Sequence, residues 1–238
     1  MASNAAFRPA LVIVDVQEDF CPPSGSLAVA GGRDIIPTIN LLLSLPFAIK
    51  VATKDFHPRD HISFASNHPP PNNIPFESMI TISNPYNASE TQSTRLWPDH
   101  CVQGTPGAEI LPELDIGKVQ HIVEKGQDRR VEMYSAFTDP FESPSVATSD
   151  LLKKLKDANI SHVYIAGLAM DYCVKFTALD SAKAGFRTYV ITEGTRAIDP
   201  GPDGWGATQK DLKLQGVPLV SIDGEEMKLV RHGSQSTP

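Results

Sequence analysis

The chain has 238 residues, 41% hydrophobic and 21% charged, with 21 basic against 28 acidic side chains and a formal net charge of −7. That is the composition of a globular protein. At ~150 residues per domain it fits one α/β domain, and its acidity argues against nucleic-acid binding, which wants a basic face, and against an anionic membrane surface.

Short apolar runs rich in β-branched residues alternate with helical patterns. The first run, residues 10–14 (ALVIV), predicts a strand that stops at Asp15, far short of the ~20 residues of a membrane span. No basic leader with a long apolar stretch precedes it, so no signal peptide is expected. A helix is predicted over 35–43 and a strand over 48–52. Residues 66–94 hold five prolines and five asparagines. Proline removes donors and fixes φ, so this segment reads as a loop insertion on the surface. Further strands are predicted over 119–123, 162–166, 187–191 and 217–222, with helices over 149–158, 173–184 and 205–214, and a frayed tail over 232–238. Continuous rather than alternating apolar strands are those covered on both faces. The expectation is an α/β fold: a six-stranded parallel sheet with helices on both faces, in a single domain spanning 1–238. The glycine fingerprints of dinucleotide and P-loop sites are absent.

Open parallel sheets bind ligands beyond the carboxyl ends of their strands, so the residues that follow each strand matter most. They are Asp15 after the first, Asp55-Phe56-His57 after the second, Lys125-Gly126 after the third, and Gly167–Cys173 after the fourth. A free cysteine is most often a buried small hydrophobe. Cys173, however, stands where a helix begins, and the helix dipole and a nearby cation such as Lys125 favour a thiolate. The turn before it would offer backbone N–H groups to an oxyanion. Asp15 reads as a turn cap or as a buried base for the thiol; Lys125 as an edge residue or as the cation that holds both anions. Cys21 and Cys101 have no such setting. Three cysteines without regular spacing point to a reducing, cytoplasmic compartment rather than to a disulfide framework.

Asp55 and His57 share one face of an extended segment; His61 follows, and His100 lies in WPDHC. One carboxylate with two or three imidazoles suits Zn²⁺, Fe²⁺ or Mn²⁺, although each histidine alone could be an ordinary core or surface residue. Phe20, Trp97 and Tyr134 are candidates to line a flat aromatic pocket.

The blocks ALVIVDVQEDF, GSLAVAGG, DFHPRDHISFA, LWPDHCVQGTPGAE, Lys125-Gly126 and GLAMDYCV together resemble the isochorismatase-like cysteine hydrolases, and within them the fungal type of nicotinamidase. The resemblance implies a triad of Asp15, Lys125 and Cys173, and an oxyanion hole from the N–H groups of Ala169 and Cys173 with a cis peptide at Leu168–Ala169. It further implies one divalent metal, zinc first, on Asp55, His57 and His100, with His61 a ligand in some members only. The implied reaction is hydrolysis of nicotinamide to nicotinate in NAD salvage, with pyrazinamide also accepted. The implied partners are this small amide and, as an open question, a second copy of the chain. Rival readings are a hydrolase of another small amide or an isochorismatase-type enzyme, a pure metallohydrolase with a structural Cys173, and a binding module without catalysis.

Overall fold

The computed structural model describes residues 6–232. Six parallel strands form the sheet: β1 (Pro9–Val14), β2 (Ile49–Asp55), β5 (His121–Lys125), β6 (His162–Gly167), β7 (Arg187–Thr195) and β8 (Leu219–Val220), in the order β5-β2-β1-β6-β7-β8. The expected sheet is present with all six strands in place. Their lengths differ from expectation at the far edge. β8 is two residues long because Pro218 just before it has no N–H to pair, while β7 runs on to Thr195.

Alternation along β1 explains why both faces are covered. Leu11 and Ile13 face the core completed by α1 (Ile36–Ser44) and α5 (Glu225–His232). Ala10, Val12 and Val14 face the core completed by α2 (Leu151–Asp157), α3 (Lys175–Lys183) and α4 (Ala207–Leu214). All six residues of β1 are buried. Helix α5 was not expected, although its acidic first turn, basic last turn and buried Met227 and Val230 form an amphipathic pattern. It ends at His232, and the rest of the tail lies outside the described residues. Among the described residues, no helix is long and apolar enough to cross a membrane.

The 66–94 segment requires a correction. Its second half is not a loop but an antiparallel hairpin, β3 (Met79–Asn84) with β4 (Asn87–Arg95), forming a sheet of its own. Four of the prolines precede β3, and Pro85 sits in the turn, where its missing donor costs nothing. Ile80 and Ile82 alternate onto a small core with Val131 and Phe141.

The strand order places the site. The chain leaves β1 for β2 and β5 on one side, and β6, β7 and β8 continue on the other. The crevice therefore opens between β1 and β6, where such sheets take ligands. Asp15 and the turn carrying Cys173 stand on its two lips. Asp55 and Lys125 are register partners on the adjacent pair.

Candidate active site

Lys125 is the centre of the constellation. It closes β5 with 2% of its surface exposed, and its Nζ lies 3.0 Å from Asp15 Oδ2, 3.0 Å from Asp55 Oδ1, 3.1 Å from the Met133 carbonyl and 3.5 Å from Cys173 Sγ. Burial alone would drive the ammonium toward neutrality; Asp15 and Asp55 outweigh it and hold Lys125 well above its ordinary range.

Asp15 follows β1 with a left-handed φ of 48°. Thr53 fixes it twice: the Asp15 N–H donates to Thr53 Oγ1 at 3.1 Å, and that hydroxyl donates to Asp15 Oδ1 at 2.5 Å. Burial pushes the Asp15 carboxyl up while Lys125 pulls it down, and the net direction is upward. Asp55 goes the other way. Burial again works upward, but the charges of His57 and Lys125 hold it well below the usual carboxylate range. Two carboxyls sharing one ammonium are thus driven apart: Asp15 becomes the stronger proton acceptor and Asp55 is held as an anion.

Cys173 lies where the sequence places it, at the entry of α3, but in a π-helical turn (Met170–Val174) that precedes the α-helix proper. The expectation of a ready thiolate does not hold for the resting site. Burial pushes the thiol well above its ordinary value, Lys125 opposes this, and Asp15 and Asp55 reinforce it. The thiol therefore needs a base at hand, and the buried Asp15 carboxylate, within hydrogen-bond reach of the thiol and 3.0 Å from the Lys125 ammonium, is the available acceptor.

The turn itself is set by backbone sterics. Gly167 has φ +124°, and a Cβ there would stand 2.0 Å from the Val14 carbonyl oxygen, so only glycine lets β6 lie this close to β1. The Leu168–Ala169 peptide is cis. The Tyr172 and Val174 N–H groups both donate to the Ala169 carbonyl, and Met170 N–H donates to Arg196. Among the described residues the Ala169 N–H finds no acceptor in the protein.

The donor set beside the triad fits a divalent cation. His57 Nδ1–H donates to the Gly126 carbonyl at 2.8 Å, which turns Nε2 toward Asp55 Oδ2 at 3.0 Å. Nε2 is buried and has no hydrogen-bond partner. That nitrogen carries either a proton, which is the imidazolium charge that lowers Asp55, or a lone pair given to a cation. His100 repeats the arrangement: Nδ1 is tied to the Pro98 carbonyl at 2.8 Å, and Nε2 lies 3.6 Å from the same Asp55 oxygen. These three donors converge within 4.8 Å of one another and match the carboxylate–imidazole chemistry of catalytic metal sites, with second-shell carbonyls orienting both rings. His61 is placed differently. Its Nε2 donates to the Val131 carbonyl at 3.1 Å and its Nδ1 meets Ser63 Oγ at 2.8 Å. It stacks against His57 at 4.0 Å with both nitrogens occupied.

All three aromatic candidates border the site. Phe20 packs on His100 at 5.5 Å, and Trp97 Nε1–H donates to the Tyr134 hydroxyl at 2.9 Å. Sequence reasoning missed several supports. Thr53 shares the face of Asp55 two residues along, a signal the strand pattern carried. Tyr172, the neighbour of Cys173, meets both Trp97 (4.8 Å) and Tyr134 (5.3 Å). Gln17 ties β1 to β2 through both directions of its amide, to the Asp55 carbonyl and N–H at 2.8 Å each. Glu132 is buried within reach of His57 and His61, and no local pattern announced it. Cys21 is buried away from this chemistry, and burial pushes it up to about 12. Cys101 is buried beside the site, next to His100, where burial and then the charges of Asp55 and Asp15 push its thiol well above the ordinary value.

Known proteins give the same placement. The isochorismatase domain matches residues 9–223. A nicotinamidase of Acinetobacter baylyi is 46% identical over 190 residues, covering 80% of this chain and 82% of that one. The crystal structure of the yeast nicotinamidase bound to the inhibitor nicotinaldehyde superposes with a TM-score of 0.83 at 34% identity, covering 90% and 99%. The pyrazinamidase of Pyrococcus horikoshii in complex with zinc does so with a TM-score of 0.67 at 33% identity, covering 90% and 99%. With its matched domain and these relatives, the chain belongs to the isochorismatase family, within its nicotinamidase group.

Proposed function

We propose that this protein is a nicotinamidase that hydrolyses nicotinamide to nicotinate and ammonia through a thioester on Cys173, and that it also accepts pyrazinamide. The observation that carries this reading is the single buried ammonium of Lys125 in contact with Asp15, Asp55 and Cys173 at once. It joins a nucleophile, a base and a metal-binding carboxylate in one electrostatic unit.

Asp15 takes the proton of Cys173, a transfer supported by the raised carboxyl and by Lys125, which stabilises the thiolate as it forms. The sulfur attacks the carboxamide carbon. The backbone N–H groups of Ala169 and Cys173 receive the developing oxyanion. Asp15 then gives its proton to the departing ammonia, which leaves the acyl group on sulfur. A water molecule, deprotonated by Asp15, attacks the thioester; the C–S bond breaks and the thiol is restored as nicotinate leaves. Asp55, His57 and His100 would hold a divalent ion, zinc first among those the donor set suits, which supplies a Lewis-acid anchor for the pyridine nitrogen. Phe20, Trp97 and Tyr134 supply the apolar walls for the ring.

Ammonia release from nicotinamide by the purified protein tests the activity. Mass spectrometry of rapidly quenched turnovers should show an adduct on Cys173 of the mass of the nicotinoyl group. Cys173→Ala should lose at least ~10³-fold in kcat with the fold unchanged. Near wild-type hydrolysis by that variant would replace the covalent mechanism with direct attack by water.

A further inference from the structure

Beyond the catalytic groups, the hairpin insertion touches the aromatic side of the pocket at two points. Phe76, half-exposed with a left-handed φ of 68°, meets Trp97 edge to face at 5.8 Å. Its backbone is clamped, its N–H donating to the Leu96 carbonyl at 2.8 Å and its carbonyl accepting from Arg95 at 2.8 Å. The second contact is Thr94, buried at the end of β4, whose Oγ1 lies 3.2 Å from the Tyr134 hydroxyl.

The second contact continues a chain of hydrogen bonds. The Trp97 indole can only donate, so the Tyr134 oxygen accepts from it at 2.9 Å. The Tyr134 hydroxyl shares its remaining bond with the Thr94 hydroxyl, in which either oxygen can donate. The chain runs from Trp97 through Tyr134 to Thr94, and its last hydroxyl belongs to the insertion. Tyr134 also borders a separate cavity of about 570 Å³, shared with Thr94, Ile82, Phe141 and Phe176. It stacks on Phe176 at 5.5 Å and packs on Tyr172 at 5.3 Å. Its ring thus belongs both to the aromatic group beside Cys173 and to the lining of this cavity.

We infer that Tyr134, held by Thr94, is a selectivity partition that limits the size of the amide's ring. This rests on the proposed nicotinamidase activity. A pyridine held at its nitrogen by the Asp55–His57–His100 face and at its carboxamide by Cys173 has one carbon adjacent to neither substituent position, carbon 5. A group there meets the aromatic wall. With Tyr134 locked, the site takes unsubstituted pyridine and pyrazine amides; with the lock removed, the cavity behind it becomes available to nicotinamides bearing a bulky group on carbon 5. Thr94 acts as a positioning residue, through Tyr134.

The test compares kcat/KM for 5-phenylnicotinamide and nicotinamide in the wild type, Thr94→Val, Thr94→Ser and Tyr134→Ala. The ratio should rise at least tenfold in Thr94→Val and Tyr134→Ala, through KM more than kcat, and return to the wild-type value in Thr94→Ser, which restores the hydroxyl. A mere loss of stability would lower both substrates together and leave the ratio unmoved. Unchanged ratios in Thr94→Val and Tyr134→Ala overturn the partition, as does a Thr94→Ser variant that behaves like Thr94→Val. If the wild type does not hydrolyse nicotinamide, the proposed activity fails. The partition is then read from the binding of the same two amides to the Cys173→Ala chain by Trp97 fluorescence in a Trp205→Phe background. There an affinity ratio unmoved by Thr94→Val overturns it.

Discussion

Gly126→Ala tests the metal-binding reading at a residue that is itself no ligand. Gly126 follows Lys125 with φ +69°, and a Cβ built on it would stand 2.5 Å from His57 Cε1, 2.7 Å from His57 Nδ1 and 2.9 Å from Asp55 Oδ1. Ordinary carbon contacts are ~3.5–4.0 Å, so the imidazole must retreat by about 1 Å. Its Nδ1–H bond to the Gly126 carbonyl, 2.8 Å long, is stretched or lost with it. The left-handed backbone adds ~1–2 kcal/mol for any L side chain, or ~2–8 °C in Tm for a chain of this size. Disturbing the carbonyl that orients a metal-bound histidine typically costs ~10–100-fold in metal affinity, and a 1 Å displacement of a positioning group costs ~10²-fold in rate. Zinc affinity is measured by competition with a chromophoric chelator, stability by thermal melting with zinc in excess, and kcat/KM with nicotinamide. A folded Gly126→Ala protein with zinc affinity within ~3-fold of the wild type, below the range for loss of an orienting contact, would refute the assignment of His57.

Lys125→Met keeps the volume and removes the charge, leaving Asp15 and Asp55 buried without their cation; urea denaturation should show a loss of ~3–5 kcal/mol, and alkylation of Cys173 should move to higher pH, so an unchanged alkylation profile would remove Lys125 from thiol activation. Burial raises Asp15 above its ordinary 3.8, and a base must be ionised to work, so kcat/KM should fall as pH drops through that raised value. The acid limb should therefore lie above pH 3.8, and a limb at or below it would count against Asp15 as the base. The same raised carboxyl binds its proton more tightly folded than unfolded, so its contribution to stability declines as pH rises from 3.8 through the folded value. Chelation should erase the preference for nicotinamide over benzamide, which lacks the ring nitrogen and should be disfavoured by up to ~10⁴–10⁵ in the metal-loaded protein. Cys173 alkylation should survive chelation; comparable kcat/KM for the two amides in the loaded protein would assign the metal a different role.

Sequence alone determined what is local. Continuous apolar runs specified the central strands because burial on both faces makes the whole run apolar, while the edge strand β5, with Ile122 exposed, was legible from its β-branched residues. The residues that follow them, Asp15, Asp55, His57, Lys125 and Cys173, were legible as chemistry because parallel sheets collect ligands at that one edge. The insertion was misread where proline content was averaged over the whole segment. The prolines before β3 and in its turn left the alternation of Ile80 and Ile82 intact, and that period of two was the better signal. Tertiary structure alone decided three things. It set the order β5-β2-β1-β6, which brings residues more than a hundred positions apart onto one ammonium. It set the direction in which each group is driven, because burial and the shared Lys125 send Asp15 and Asp55 opposite ways, and burial pushes the thiol up against Lys125. And it chose the supports Thr53, Thr94, Glu132 and Tyr172, whose roles come from partners on other elements. Periodicity reports how a segment meets the core, but hydrogen bonds and Coulomb terms depend on which atoms the fold brings within a few ångströms, and no local pattern encodes that.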